Sequence, residues 1–143
     1  LLKKFRTAAD LVPQPVLRSA PQKTQLGVIY FGSTSPAMRE ALDVLESEGM
    51  HLDALRLCAF PFPESVSRFI AGHEKVFVVE QNRDAQMHSM LVNELDIDPA
   101  RLVRVLHYDG TPITARFIAG AIRKSGHPAP LESANLSRKK ELA

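Results

Sequence analysis

The stretch that most constrains this chain is KVFVVE (75–80), in which four consecutive apolar residues, each β-branched or aromatic, stand between a Lys and a Glu. A strand wetted on one face alternates apolar and polar residues. An unbroken run therefore predicts burial on both faces, as in a parallel sheet covered by helices on each side. Three further runs have related character: LGVIYF (26–31), LDALRLCAF (52–60) and LVRVL (102–106). Between and after them lie segments with helical periodicity. Ser35 reads as a cap and Pro36 as the first position of a helix with Met38, Ala41, Leu42 and Leu45 on one face and Gly49 as its stop. Pro63 opens a short helix carrying Val66, Phe69 and Ile70. After the polar loop QNRD, Asp84 reads as the cap of a helix turning Met87, Met90, Leu91 and Leu95 inward, and Thr114 as the cap of a last helix with Phe117, Ile118, Ala121 and Ile122 inward.

Strands alternating with helices over this length imply right-handed crossovers and a three-layer α/β/α sandwich with a mostly parallel sheet. In such sheets ligands and partners meet the loops at the carboxyl ends of the strands. Those loops are Gly32 to Ser35, Pro61 to Pro63, Glu80 to Asp84 and His107 to Thr111.

The ends of the chain differ from its middle. Residues 1–25 carry five basic groups and one acid and residues 124–143 four basic and two acidic, whereas residues 26–123 carry nine basic and thirteen acidic. An acidic body with no Trp and only two Tyr lacks the basic face and aromatic platforms of a nucleic-acid binder, so no nucleic-acid partner is expected. Pro13, Pro15 and Pro21 each lack an amide donor, which makes residues 1–24 an extended arm or linker from a preceding domain. Residues 25–123 form the folded domain, and 124–143 a flexible or partner-packed tail. The 143-residue length suits one globular domain, and the absence of an initial Met suggests a fragment. No apolar run approaches the roughly 20 residues of a spanning helix and no secretory signal opens the chain, so a cytoplasmic protein without a membrane segment is expected.

The loops offer polar groups without a catalytic constellation. Gly32-Ser33-Thr34-Ser35 leads into a helix amino terminus and could hold an anion, yet it lacks the glycine spacing of a dinucleotide fingerprint and the Lys of a phosphate loop. Glu80, Gln81, Asn82, Arg83 and Asp84 could supply acid–base and orienting groups, or strand-end hydrogen bonds plus a helix cap. The five histidines, at 51, 73, 88, 107 and 127, form no ligand-spaced pair, and the single Cys58 inside the second apolar run reads as a buried, inert thiol. No catalytic, cofactor-binding or metal-binding residue is assigned.

The ordered string KKFRTAADLVPQP, GVIYFGSTSPAMREALDVLESEGMHLDALRL, FPFP, VFVVEQNRDAQMHSML and LHYDGTPIT resembles the carboxyl-terminal part of the α subunit of thiamine-diphosphate-dependent 2-oxoacid:ferredoxin oxidoreductases of the 2-oxoglutarate or pyruvate type, over roughly residues 1–123. The resemblance implies a transketolase carboxyl-terminal-like domain with a five-stranded mixed sheet, its fifth strand in or near the Pro-rich arm. It further implies an enzyme that turns a 2-oxoacid and coenzyme A into an acyl-coenzyme A and carbon dioxide, with electrons for ferredoxin. Thiamine diphosphate and magnesium would be held between other domains and iron–sulfur clusters carried elsewhere, none of them by this chain, whose partners would be the remaining α-subunit domains and a β subunit. Tyr108-Asp109-Gly110 looks superficially like part of a diphosphate motif but precedes a different helix. Gly32, Ser33, Thr34, Glu80, Gln81, Asn82 and Asp109 are expected at an interface with a neighbouring domain or subunit, with distal contact to substrate or coenzyme A as the alternative for the Gly32 turn and the Glu80 loop. The rival reading is a stand-alone α/β domain that binds a nucleotide or anionic metabolite at the Gly32 turn.

Overall fold

The computed structural model describes residues 2–126. The expected tail from residue 127 onward lies outside the described residues. Five strands form one sheet in the order β1-β3-β2-β4-β5: β1 (Val16–Arg18), β2 (Leu26–Phe31), β3 (Asp53–Leu57), β4 (Lys75–Glu80) and β5 (Leu102–Leu106). All neighbours pair in parallel except β1, which runs antiparallel along β3 with Val16 opposite Arg56 and Arg18 opposite Ala54. The α/β fold and mostly parallel sheet expected from the sequence are present, and the fifth strand lies in the Pro-rich segment. Pro13 and Pro15 precede β1, so only three residues pair, at the sheet edge where a missing amide donor does least harm. Ahead of it, residues expected to belong to an extended arm instead form helix α1 (Leu2–Leu11), because the prolines that would break it begin only at Pro13.

Helices follow four strands: α2 (Ser35–Ser47) after β2, α3 (Glu64–Ala71) after β3, α4 (Gln86–Leu95) after β4 and α5 (Ala115–Gly126) after β5. Because successive strand residues point to opposite faces, the continuous apolar runs feed two cores. Val28 and Tyr30 of β2 with Phe77 and Val79 of β4 pack with Met38, Leu42 and Leu45 of α2 and with Ile118 and Ile122 of α5. On the opposite face, Ile29, Val76 and Val78 pack with Val66, Phe69 and Ile70 of α3 and Leu91 of α4. Fully burying such side chains contributes about 1.5–3 kcal/mol each.

Local expectations fare unevenly. Gly49 stops α2 with φ +83°, a conformation that disfavours side chains. Ser35 is not the cap of α2: a 3₁₀ turn at Gly32–Thr34 precedes the helix, Thr34 takes the cap position, and the Ser35 hydroxyl donates to the Gly32 carbonyl at 3.1 Å. The second strand is shorter than the apolar run. Pairing with β2 ends at Leu57, leaving Cys58 beyond the ladder and exposed rather than buried, before the Phe60–Phe62 turn. Met90 and Phe117, expected inward, are partly exposed. Helix α5 runs three residues past the expected boundary at 123, where Lys75 donates its ammonium proton to the Ser125 carbonyl at 2.7 Å.

The two-sided core gives a direct expectation. Replacing Phe77, which is 0% exposed, by Ala leaves a cavity beneath α2 and α5 and should lower unfolding free energy by about 3–5 kcal/mol. Urea denaturation checks this, and a loss below about 1 kcal/mol would contradict the two-layer packing.

Candidate functional site

The candidate site is set by topology. From β2 the chain passes to β3 on one side, then crosses to β4 on the other, so the loops after the adjoining strands β2 and β4 open toward a common crevice at the carboxyl edge of the sheet. The structure brings Ser33 and Thr34 together with Gln81 there. The Gln81 amide donates to the Ser33 and Thr34 hydroxyls, each at 3.1 Å. Thr34 is buried, while Gly32, Ser33 and Gln81 are exposed.

Glu80 lies beneath this surface and is 0% exposed. A carboxylate taken out of water needs strong donors on its oxygens. Oε1 accepts from the Met87 amide at 2.6 Å and from the Asn82 side-chain amide at 3.0 Å, and Oε2 accepts from the His88 amide at 3.0 Å. Asn82 in turn accepts from the Gln86 amide at 3.3 Å, and the Ser89 amide closes onto the Ala85 carbonyl at 3.0 Å. The opening amides of α4 are thereby satisfied from the end of the preceding strand, where the positive end of the helix dipole also favours a carboxylate. Asp84, read from the sequence as the cap, instead pairs with Arg83 at 2.8 Å on the surface. Ala85 occupies the cap position with φ +51°, bending the loop so that Glu80 reaches the helix axis.

Asp109 does not join this group directly. Its carboxylate accepts from the Thr111 amide and hydroxyl, at 2.8 and 2.6 Å, and these bonds hold it below the usual carboxylate range. Asp109 faces His107 at 3.4 Å, and the His107 amide donates to the Glu80 carbonyl at 2.9 Å, so Asp109 connects to the cluster only through β5. His107 also stacks edge-on against Phe117, with ring centroids 4.8 Å apart. Two buried histidines, His88 and His107, thus flank the cluster although sequence spacing gave them no role. For His88 the available signal was its place beside Met87 in the first turn of α4. Burial, reinforced by the Arg104 charge, pushes the His88 imidazole down, against the opposing effects of the Leu102 backbone and Glu80.

This geometry builds a brace at the carboxyl edge of the sheet. Both Glu80 oxygens are engaged internally, and the Ser33 and Thr34 hydroxyls accept from the Gln81 amide, which ties the β2 loop to the β4 loop. Among the described residues no three His, Cys, Asp or Glu side chains converge as a metal site, and the one thiol is the exposed Cys58. These donors do not fit an iron–sulfur cluster or a magnesium diphosphate site, so that chemistry is not carried onto them. A cavity of about 930 Å³ lies away from the crevice, between Phe5 and Ala9 of α1, the Phe60–Phe62 turn and Leu95. Among the described residues no helix is long and apolar enough to cross a membrane.

Two measurements probe the brace. Glu80→Gln offers an amide donor to one of two helix amides and should cost about 1–3 kcal/mol of stability in urea titrations; a neutral substitution would contradict the cap. His88 titrates below its free value of 6.5, so the unfolded chain takes up the proton first as pH falls. The contribution of neutral His88 is complete above that value and is lost as pH drops from it toward the lower folded value. The stability difference between wild type and His88→Asn should therefore shift against wild type as pH falls below about 6.5; a pH-independent difference would refute the assignment.

Comparison with known proteins adds the family context. No family model matches the chain. It is similar to the alpha subunit of 2-oxoacid:ferredoxin oxidoreductase 2 from Aeropyrum pernix, 28% identical over 127 residues, which are 85% of this chain and 19% of that subunit. It is also similar to the 2-oxoacid:ferredoxin oxidoreductase alpha subunit of Saccharolobus solfataricus, 28% identical over 116 residues, covering 78% and 18%. Among solved structures, a 2-oxoglutarate:ferredoxin oxidoreductase from Magnetococcus marinus, with 2-oxoglutarate, coenzyme A and succinyl-CoA bound, matches at TM-score 0.73 and 24% identity, over 82% of this chain and 20% of that one. A split-gene transketolase in an inactive beta4 tetramer matches at TM-score 0.63 and 18% identity, over 78% and 40%. The alpha chain of a probable 2-oxoacid ferredoxin oxidoreductase from Thermoplasma acidophilum matches at TM-score 0.52 and 25% identity, over 78% and 96%. The chain spans about a fifth of the length of the curated relatives it matches. Its homologues are alpha subunits of 2-oxoacid:ferredoxin oxidoreductases, and its fold is transketolase-like.

Proposed function

We propose that this chain is the carboxyl-terminal assembly domain of the α subunit of a thiamine-diphosphate-dependent 2-oxoacid:ferredoxin oxidoreductase, with residues 25–123 as its core and the flanking segments joining or contacting the rest of the complex. The enzyme would cleave the carboxylate from a 2-oxoacid as carbon dioxide, join the acyl carbon to the sulfur of coenzyme A with release of a proton, and pass the electron pair to ferredoxin. Other α-subunit domains and the β subunit would hold thiamine diphosphate, magnesium and the clusters. The observation that carries this reading is the similarity itself: it runs along 85% of this chain but occupies 19% of the relative. The internally satisfied cluster supports an architectural role, because Glu80 and Asn82 are spent on shaping a loop whose outer residues, Gln81, Arg83 and Asp84, remain exposed. Gly32 and Ser33 would share that contact surface, with Asp109 at its border.

The test is reconstitution. The full α subunit combined with its β subunit should reduce a viologen dye in the presence of 2-oxoacid and coenzyme A, while this chain alone should give no turnover. Charge reversal at exposed Arg83 (Arg83→Glu) should weaken assembly of the complex by about tenfold or more, the order expected of a contact worth at least 1.4 kcal/mol. Turnover by the isolated chain, or unchanged assembly and rate after deletion of residues 25–123, would contradict the proposal.

A further inference from the structure

The amino edge of the sheet, opposite the crevice, holds a second polar network that the proposed function does not use. His73 follows α3, and its side chain is 8% exposed. Its Nδ1 lies 2.7 Å from the Phe69 carbonyl and its Nε2 lies 2.9 Å from Oδ2 of Asp53 at the start of β3. Oδ1 of Asp53 accepts from the Ala20 amide at 2.7 Å. A carbonyl has no hydrogen to give, and an ionised carboxylate has none either. A neutral imidazole carries one N–H and could satisfy only one of the two contacts, whereas an imidazolium satisfies both.

We propose that His73, donating from both ring nitrogens, is a clasp that pins the segment around Ala20, between β1 and β2, to the amino edge of the sheet. Every element at this corner is shaped for it. A Cβ on Gly27 of β2 would sit 3.0 Å from the Phe69 ring and 3.2 Å from Cγ of His73, so the glycine leaves the space that the imidazole fills. The Phe69 and His73 rings pack at 4.5 Å. The charged groups brought against His73 are Asp53 from β3 and Arg101 from the turn before β5, whose guanidinium donates to the carbonyls of His73 and Ala71 at 3.1 and 3.4 Å. Helix α3 faces it with the Phe69 carbonyl and ring, and β2 with Gly27. Loss of the ring proton removes one donor from a pair of acceptors, and the Asp53 carboxylate that holds Ala20 is then free to turn away.

Without the imidazole the Asp53 carboxylate loses its second partner, so His73→Ala should lower hydrogen-exchange protection of the Ala20 amide by about tenfold or more, the order expected for loss of a hydrogen bond to a charged group. Nitrogen-detected NMR of the full chain at neutral pH should show both ring nitrogens of His73 protonated. Asp53→Asn is the discriminating variant: its carboxamide oxygen still accepts from Ala20 while its NH₂ donates to Nε2 of a neutral ring. It should convert His73 to a single protonated nitrogen and keep Ala20 protected. One unprotonated ring nitrogen in the folded wild-type protein, or Ala20 protection unchanged by His73→Ala, would overturn the proposal.

Discussion

The carboxylate of Glu80 is the constraint on which the rest of the carboxyl edge depends. An acid at the end of a strand covered on both faces has no route to water, so the protein must supply its donors. The amides that open α4 are the available ones, and they need acceptors for the same reason. Each group thus removes the other's cost of burial, and the exchange fixes the angle at which α4 leaves β4, the left-handed backbone at Ala85, and the path of the loop between them. Because α4 covers one face of β2 and β4 through Leu91, the same bonds also hold that layer against the sheet.

The sheet is therefore tied at both ends by buried polar groups of different kinds. At the carboxyl edge a negative charge is held by helix amides and neighbouring amide side chains, and the loops above it present Ser33, Gln81, Arg83 and Asp84 outward. At the amino edge Asp53 and His73 join the start of β3, the end of α3 and the segment leading into β2. Between them, the two hydrophobic layers supply most of the stabilisation, as burial of apolar area does in domains of this size. Such a body suits a domain whose task is to hold a surface in place.

Much of this was legible in the sequence because it rests on local pattern. The run at 76–79 announced a doubly covered strand, the stripe of Met38, Ala41, Leu42 and Leu45 announced α2, and Thr114 caps α5 through the Phe117 amide as its position suggested. What could not be read depends on partners distant in the chain or on ladder length. Asp84 and Ser35 have good capping chemistry, but Glu80 reaches the α4 amides first and a 3₁₀ turn displaces Ser35. Cys58 continues an apolar run, yet β2 ends at Phe31 and leaves it no partner. Strand β1 is three residues long and flanked by prolines, so it exists only because β3 offers a free edge. Of the candidate cluster, Ser33 and Thr34 meet Gln81 and Glu80 bonds Asn82, whereas Asp109 stands apart, held by its own turn with Thr111.

The central claim is that the carboxyl edge is an assembly surface shaped from beneath by Glu80. Hydrogen exchange, compared between the free chain and the same residues inside the proposed α–β complex, tests it most directly. The account predicts that added protection on assembly concentrates at the amides of residues 32–34 and 81–85. Unchanged exchange in those two loops, with protection appearing only elsewhere on the chain, would contradict it.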